Sequence, residues 1–107
     1  KASSEDLKVA ETIKNAILKS GAGKISKIVF FGSRARGDGN ANSDFDILVV
    51  WDHVISEFHS LFYNERSQLG FPLVSIDVVT LTKEEFASFL FKKEVEEEGL
   101  ILYDRGY

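Results

Sequence analysis

From Ile47 to Trp51 every residue is apolar. A strand that faces water on one side alternates apolar and polar residues, whereas an unbroken apolar run needs cover on both faces. The segment Phe45 to Trp51 is therefore read as a strand inside a layered fold. Ile25 to Phe31 is short, apolar and β-branched, and predicts a second strand; Val74 to Leu81 predicts a third. Helical spacing of Leu7, Ala10, Ile13, Ala16 and Ile17 predicts a helix over 4–20. Ser3 and Asp6 stand at capping-box spacing at its start, and Gly21 stops it. Ile55, Phe58, Leu61, Phe62 and Leu69 suggest a helix over 53–69, ended by Gly70 and Pro72. Thr82 with Glu85 opens another, from 83 into the nineties. The acidic run Glu94, Glu96, Glu97, Glu98 opposes the helix dipole, so fraying is expected before Gly99. Leu100 to Tyr103 reads as a short last strand. The order α-β-β-α-β-α-β implies an α/β (α+β) fold, a sheet of about four strands with helices packed on it. Strand order stays open.

Composition narrows the chemistry. The 107 residues are 44% hydrophobic and 28% charged, which fits a single domain over 1–107 with a real core. With no cysteine, disulfides, thiolate zinc sites and cysteine nucleophiles are excluded, and His53 and His59 are too few for a histidine-rich metal site. No signal peptide and no membrane-length apolar run is visible, which predicts a cytoplasmic protein with no membrane partner. Residues 1–43 carry 8 basic and 4 acidic side chains, residues 44–107 carry 5 and 13. That asymmetry is compatible with a phosphate subsite beside a carboxylate metal site, although charge counts alone favour a mixed, solvated surface, and a pI of about 5.1 argues against a general nucleic-acid binder.

Three features lie at strand ends. Asp44 and Asp46 are two apart in an extended segment, so both point to one face, roughly 6.5–7 Å apart, with Phe45 turned into packing. Two such carboxylates repel each other and resist desolvation, and a divalent cation relieves both costs. Oxygen ligands favour Mg²⁺ or Mn²⁺. Asp77, inside an otherwise apolar strand and read as buried, adds a third carboxylate, enough for two ions. Gly32-Ser33 follows a strand, where glycine admits a phosphate close to the backbone and the serine hydroxyl can donate to it. Arg34 and Arg36 suit phosphates too; one is expected to face the site and the other to make a surface or structural ion pair, and Arg36 pairing with Asp44 or Asp46 is an equal alternative. Phe86, Phe89, Leu90 and Phe91 cannot share one helix face, so some should be exposed or lie in an interface.

The segment Gly32-Ser33-Arg34-Ala35-Arg36-Gly37 through Ser43-Asp44-Phe45-Asp46 resembles the signature of the DNA-polymerase-β-like nucleotidyltransferase superfamily, in particular its minimal nucleotidyltransferase (MNT) branch. Asp77 matches the third carboxylate, and Glu98 to Tyr103 resembles the usual C-terminal ending. The resemblance implies a mixed sheet. It also implies transfer of a nucleoside monophosphate, AMP from ATP, to a hydroxyl with Mg²⁺, two ions being expected and Mn²⁺ an alternative. Gly32, Ser33 and Arg36 would bind nucleotide, and Asp44, Asp46 and Asp77 would hold metal and serve catalysis. Minimal members pair with HEPN-domain proteins, as antitoxins that adenylylate the toxin, often on tyrosine. A homodimer stays open. The alternatives are a small-molecule (antibiotic-type) nucleotidyltransferase and a catalytically silent partner-binding module.

Overall fold

The computed structural model describes residues 1–21, 23–53, 56–69 and 75–105. Its elements run α1 (Ser4–Ser20), β1 (Ile25–Phe31), α2 (Ser33–Arg36), β2 (Phe45–Trp51), α3 (Phe58–Ser67), β3 (Ile76–Thr82), α4 (Lys83–Ala87), α5 (Lys92–Glu98) and β4 (Leu100–Asp104). The four strands form a mixed sheet in the order β3-β2-β1-β4. β1 pairs antiparallel with β2 and with β4, while β2 pairs parallel with β3. The apolar run at 47–51 thus sits at an interior position, hydrogen-bonded on both sides.

Both faces of β2 are covered, as its composition requires. Ile47, Val49 and Trp51 join Ile28 and Phe30 of β1 against Ala10, Ile13 and Ile17 of α1 and Phe58 and Phe62 of α3. The Trp51 ring meets Phe58 edge-on at 4.9 Å. Leu48 and Val50 join Val29 and Phe31 on the other face, under Val95 of α5 with Phe86 and Phe89 packed alongside. Ser3 caps α1 by accepting from the Asp6 N–H at 3.1 Å, and Thr82 and Glu85 complete a reciprocal capping box at α4.

The structure departs from the sequence reading in three elements. α3 begins at Phe58, the first residue of that stretch to enter the core, and ends at Ser67; His53 lies before it, and Ile55, Gly70, Pro72 and Val74 lie outside the described residues. The helix expected from 83 into the nineties is split into α4 and α5. On a continuous helix Val95 would stand about 180° from Phe86, since each residue turns 100°. The break at 88–91 resets that phase, so Phe86, Phe89 and Val95 all reach the sheet. Leu90 is left 84% exposed and Phe91 49%. The acidic run does not fray: Lys92 pairs with Glu96 at 3.1 Å, Arg36 stands 3.6 Å from Glu94 and 3.5 Å from Glu98, and the Gly99 N–H closes on the Val95 carbonyl. No helix among the described residues is long and apolar enough to cross a membrane.

Leu48 is fully buried on the α4/α5 face. Leu48→Ala should cost about 3 kcal/mol in urea unfolding, through lost transfer energy and the cavity left behind. Thr82→Ala should cost about 1 kcal/mol, the worth of an N-cap.

Candidate active site

Strand register assembles the carboxylates. Across the parallel β2–β3 ladder Asp46 is the direct partner of Asp77. Side chains at such positions share a face, with backbones roughly 4.8 Å apart. Asp44 lies two residues before Asp46, just ahead of β2. The face is the one that α4 and α5 partly cover, because Asp46 and Asp77 share the parity of Leu48, Val50, Val79 and Leu81.

The antiparallel β1–β2 ladder adds the glycine turn. Phe31 is the partner of Asp46, so Gly32 leaves β1 beside that carboxylate. Gly32 has φ +85°, where a side chain is strained, and a Cβ there would overlap the Asp46 Oδ2. Ser33 starts the single turn of α2, and its carbonyl accepts the N–H groups of Gly37, Asp38 and Gly39 at 2.9–3.1 Å. Gly32, Ser33, Asp44, Asp46 and Asp77 are therefore gathered at one end of three adjacent strands.

Arg34 makes the structural ion pair expected of one of the two arginines, and Arg36 is paired elsewhere than with Asp44 or Asp46. Arg34 donates to the Ser43 carbonyl at 2.8 Å, the Ala41 carbonyl at 3.1 Å and Asp6 at 2.9 Å. Its guanidinium also lies 4.4 Å above the Phe45 ring. It clamps the 37–44 loop to α1 and so fixes where Asp44 enters β2. Arg36 pairs with neither Asp44 nor Asp46. Its contacts are Asp38 at 3.1 Å, Glu94 and Glu98, which hold its pKa above the ordinary value, the Asp38 hydrogen bond most of all. Asp77 is exposed rather than buried, because β3 is an edge strand.

Asp46 carries the electrostatic cost of the cluster. Burial first, then the charges of Asp77, Asp44 and Glu94, push its carboxyl from 3.8 to about 6, against a smaller opposing pull from Arg36. Glu94 on α5 is a neighbour the sequence reading missed; it was one charge in an acidic run, and nothing in that run pointed to β2. Beside the carboxylates lies a pocket of about 240 Å³ walled by Phe31, Val79, Phe89 and Phe91. No three described Asp, Glu or His side chains are drawn together closely enough to hold a metal ion as they stand. The donor set nevertheless suits a hard divalent cation: it is all oxygen, on one face, and under mutual repulsion that a cation would relieve.

The model of the family described as polymerase beta, nucleotidyltransferase matches residues 11–106. The chain belongs to that family. Among curated relatives of this nucleotidyltransferase, a Methanocaldococcus jannaschii protein named provisionally as a protein adenylyltransferase is 36% identical over 92 residues, spanning 83% of this chain and 89% of its own. The protein adenylyltransferase MntA of Aphanizomenon flos-aquae is 29% identical over 89 residues, 75% of this chain but only 57% of its own length. In structure, the nucleotidyltransferase resembles a toxin–antitoxin crystallised with AMP-PNP, at TM-score 0.61 and 23% identity over 90% of this chain and 74% of that one. It also resembles a complex of tri-AMPylated Shewanella oneidensis HEPN toxin with MNT antitoxin, at TM-score 0.55 and 20% identity over 91% and 71%. At these identities the two complexes speak for the fold.

Two measurements follow from the geometry. The raised pKa of Asp46 means that its contribution to stability is complete below pH 3.8 and lost as pH rises through about 6. In chelator at pH 7, Asp46→Asn should therefore stabilise the protein, by about 1–2 kcal/mol after allowing for solvent screening. The fall in melting temperature that the parent shows between these two values should flatten in the variant. Arg34→Ala should cost about 1.5–3 kcal/mol through the lost charged hydrogen bonds, and amide exchange should show faster opening over 37–44.

Proposed function

We propose that this chain is a metal-dependent protein adenylyltransferase, moving AMP from ATP to a tyrosine hydroxyl of a HEPN-domain partner as the antitoxin of the pair. The observation that carries this reading is the placement of Asp46 against the Gly32 backbone on one side and beside Asp77 on the other. The names of the two curated relatives, both protein adenylyltransferases, support protein as the acceptor class. The HEPN partner and the antitoxin role rest on the MNT-type motif and on the assemblies of the structural neighbours.

In this reading Gly32 and Ser33 seat the β- and γ-phosphates. Gly32 allows close approach and Ser33 donates its hydroxyl. Asp44 and Asp46 would hold the nucleotide-associated Mg²⁺, with Mn²⁺ a substitute, and would share a second ion with Asp77. The ions, when bound, offset negative charge at the α-phosphate and make the acceptor hydroxyl more acidic. Asp77, on the edge strand and exposed, accepts the acceptor's proton. The acceptor oxygen forms a bond to the α-phosphorus, and the bond to the pyrophosphate oxygen breaks with its electron pair on pyrophosphate. Arg36 is a positioning residue that ties α2 to α5. Arg34 fixes the loop that delivers Asp44.

The test incubates the protein with α-labelled ATP, Mg²⁺ and the co-encoded partner. Label should appear on a partner tyrosine and vanish in excess chelator. Asp44→Asn and Asp46→Asn should each lower transfer by about 10³-fold or more, because an amide cannot replace a carboxylate on the ion. Ser33→Ala should weaken nucleotide affinity by about 1.5–3 kcal/mol in calorimetry, the worth of one charge-assisted hydrogen bond. Full transfer in either Asp variant contradicts the assignment, and label on a small acceptor in place of the partner contradicts the acceptor class.

A further inference from the structure

The carboxylate cleft has an exposed apolar rim that the fold does not need. The break between α4 and α5 turns Phe86 and Phe89 toward the core and leaves Leu90 and Phe91 outside it. Among the described residues the exposed large apolar side chains are Leu7, Leu61, Tyr63, Leu90, Phe91 and Ile101, and Leu90 is the most exposed of them. Leu90 and Phe91 are neighbours in the chain, and Phe91 borders the same pocket as Asp46 and Asp77. The break is also held firmly. The Ser88 N–H donates to the Glu85 carbonyl at 3.2 Å, Phe89 to Phe86 at 3.1 Å, Lys92 to Phe89 at 3.1 Å and Val95 to Phe91 at 2.9 Å. The Phe89 ring lies 6.4 Å from Phe86 and meets Phe91 edge-on at 5.8 Å. An apolar knuckle fixed in this way loses little conformational freedom when it is covered.

We propose that Leu90 and the outer edge of Phe91 are the docking knuckle for the acceptor protein, seated in an apolar recess of that protein whose rim is acidic. The inference rests on the nucleotidyl-transfer reading and deepens it by saying where the acceptor is held, apart from which of its residues receives the nucleotide.

Position, charge and symmetry choose this occupant. A protein acceptor must bring one hydroxyl to a phosphorus beside Asp46 and Asp77, so its surface lies over the rim of that cleft whichever group fills the pocket. Phe91 is part of that rim and Leu90 adjoins it. The other exposed apolar residues are elsewhere: Leu7, Leu61 and Tyr63 stand on α1 and α3, which pack on the opposite face of the sheet, and Ile101 on β4, the strand farthest from β3. Lys92 and Lys93 follow the knuckle directly. Lys93 is 89% exposed, and its 3.9 Å contact with Glu97 is a loose surface pair that an acid on the acceptor can replace. A second copy fits worse. Seated two-fold on the same knuckle, it would bring Asp46, Asp77 and Glu94 of two chains toward each other, each chain with a net charge of −4, and would close the cleft to any protein acceptor. Interfaces centre on aromatic or aliphatic anchors seated in pockets, with a charged rim that steers encounter, and the α4–α5 break supplies both.

The test titrates the co-encoded partner into the intact protein by calorimetry, without nucleotide, and then follows transfer from α-labelled ATP with Mg²⁺ as partner concentration is raised. Leu90→Ser, neutral so that the charge beside Asp46 is unchanged, should weaken partner affinity and raise KM for the partner by about tenfold or more, as loss of one covered leucine side chain predicts. Leu90→Met should restore both. The kcat and the affinity for AMP-PNP with Mg²⁺ should stay at parental values. Leu61→Ser, on the far face of the sheet, should change nothing. The parental KM should rise with salt, and Lys93→Gln should flatten that rise. No affinity of the parent for the partner, equal affinity in Leu90→Ser and the parent, an equal loss in Leu61→Ser, or a KM that ignores salt would overturn the proposal. So would light scattering that shows the parent as a dimer and Leu90→Ser as a monomer, because the knuckle would then belong to a second copy. Partner affinity that depends on Leu90 with no label transferred would sink the transfer reading and leave the docking surface standing.

Discussion

Residue 46 is held between two backbone ladders, and the arrangement of the site depends on that. On one side the antiparallel register with β1 sets Phe31 opposite Asp46 and brings the Gly32 turn against its carboxylate. On the other, the parallel register with β3 sets Asp77 beside it. A slip of one residue in either ladder would move a partner to the opposite face. Slippage is resisted by the apolar run that follows, because Leu48 and Val50 fill one core while Ile47, Val49 and Trp51 fill the other.

Folding thus imposes an unfavourable electrostatic arrangement. Asp77 on β3, Asp44 just ahead of β2 and Glu94 on α5 add their charges to the burial of Asp46, which responds by holding its proton to about pH 6. The nearby cation does little to relieve this, since Arg36 is engaged by Asp38, Glu94 and Glu98. The strain is of the kind expected where a site is shaped for a ligand that carries the opposite charge.

Much of this was legible in the sequence, for physical reasons that can be named. The bounds of β1 and β2 follow from β-branched apolar runs ended by Gly32 and by a polar loop, and the pairing of Asp44 with Asp46 on one face follows from strand alternation alone. The N-cap at Ser3 and the capping box at Thr82 mark helix starts because the cap is a local hydrogen bond. What failed depended on partners distant in the chain. Asp77 reads as buried among valines and isoleucines, but β3 is an edge strand, and strand order is not a local property. The break between α4 and α5 answers to where Phe86, Phe89 and Val95 must point together, which no single window of sequence contains. Arg36 pairs with Asp38, two residues on, and with Glu94 and Glu98 on α5 rather than with Asp44 or Asp46, and the α5 partners are not local in the chain.

Register sets Asp46 beside Asp77 and beside the Gly32 turn, and the proposed function requires Asp44, Asp46 and Asp77 to act as one cation-binding unit shared with a nucleotide. Manganese titration followed by electron paramagnetic resonance, with AMP-PNP present and then absent, tests it most directly. The account predicts that nucleotide strengthens Mn²⁺ binding to the parent protein, that Asp46→Asn removes this enhancement, and that Asp77→Asn lowers the number of ions bound. Mn²⁺ binding that ignores nucleotide, or that is the same in Asp46→Asn as in the parent, would contradict it.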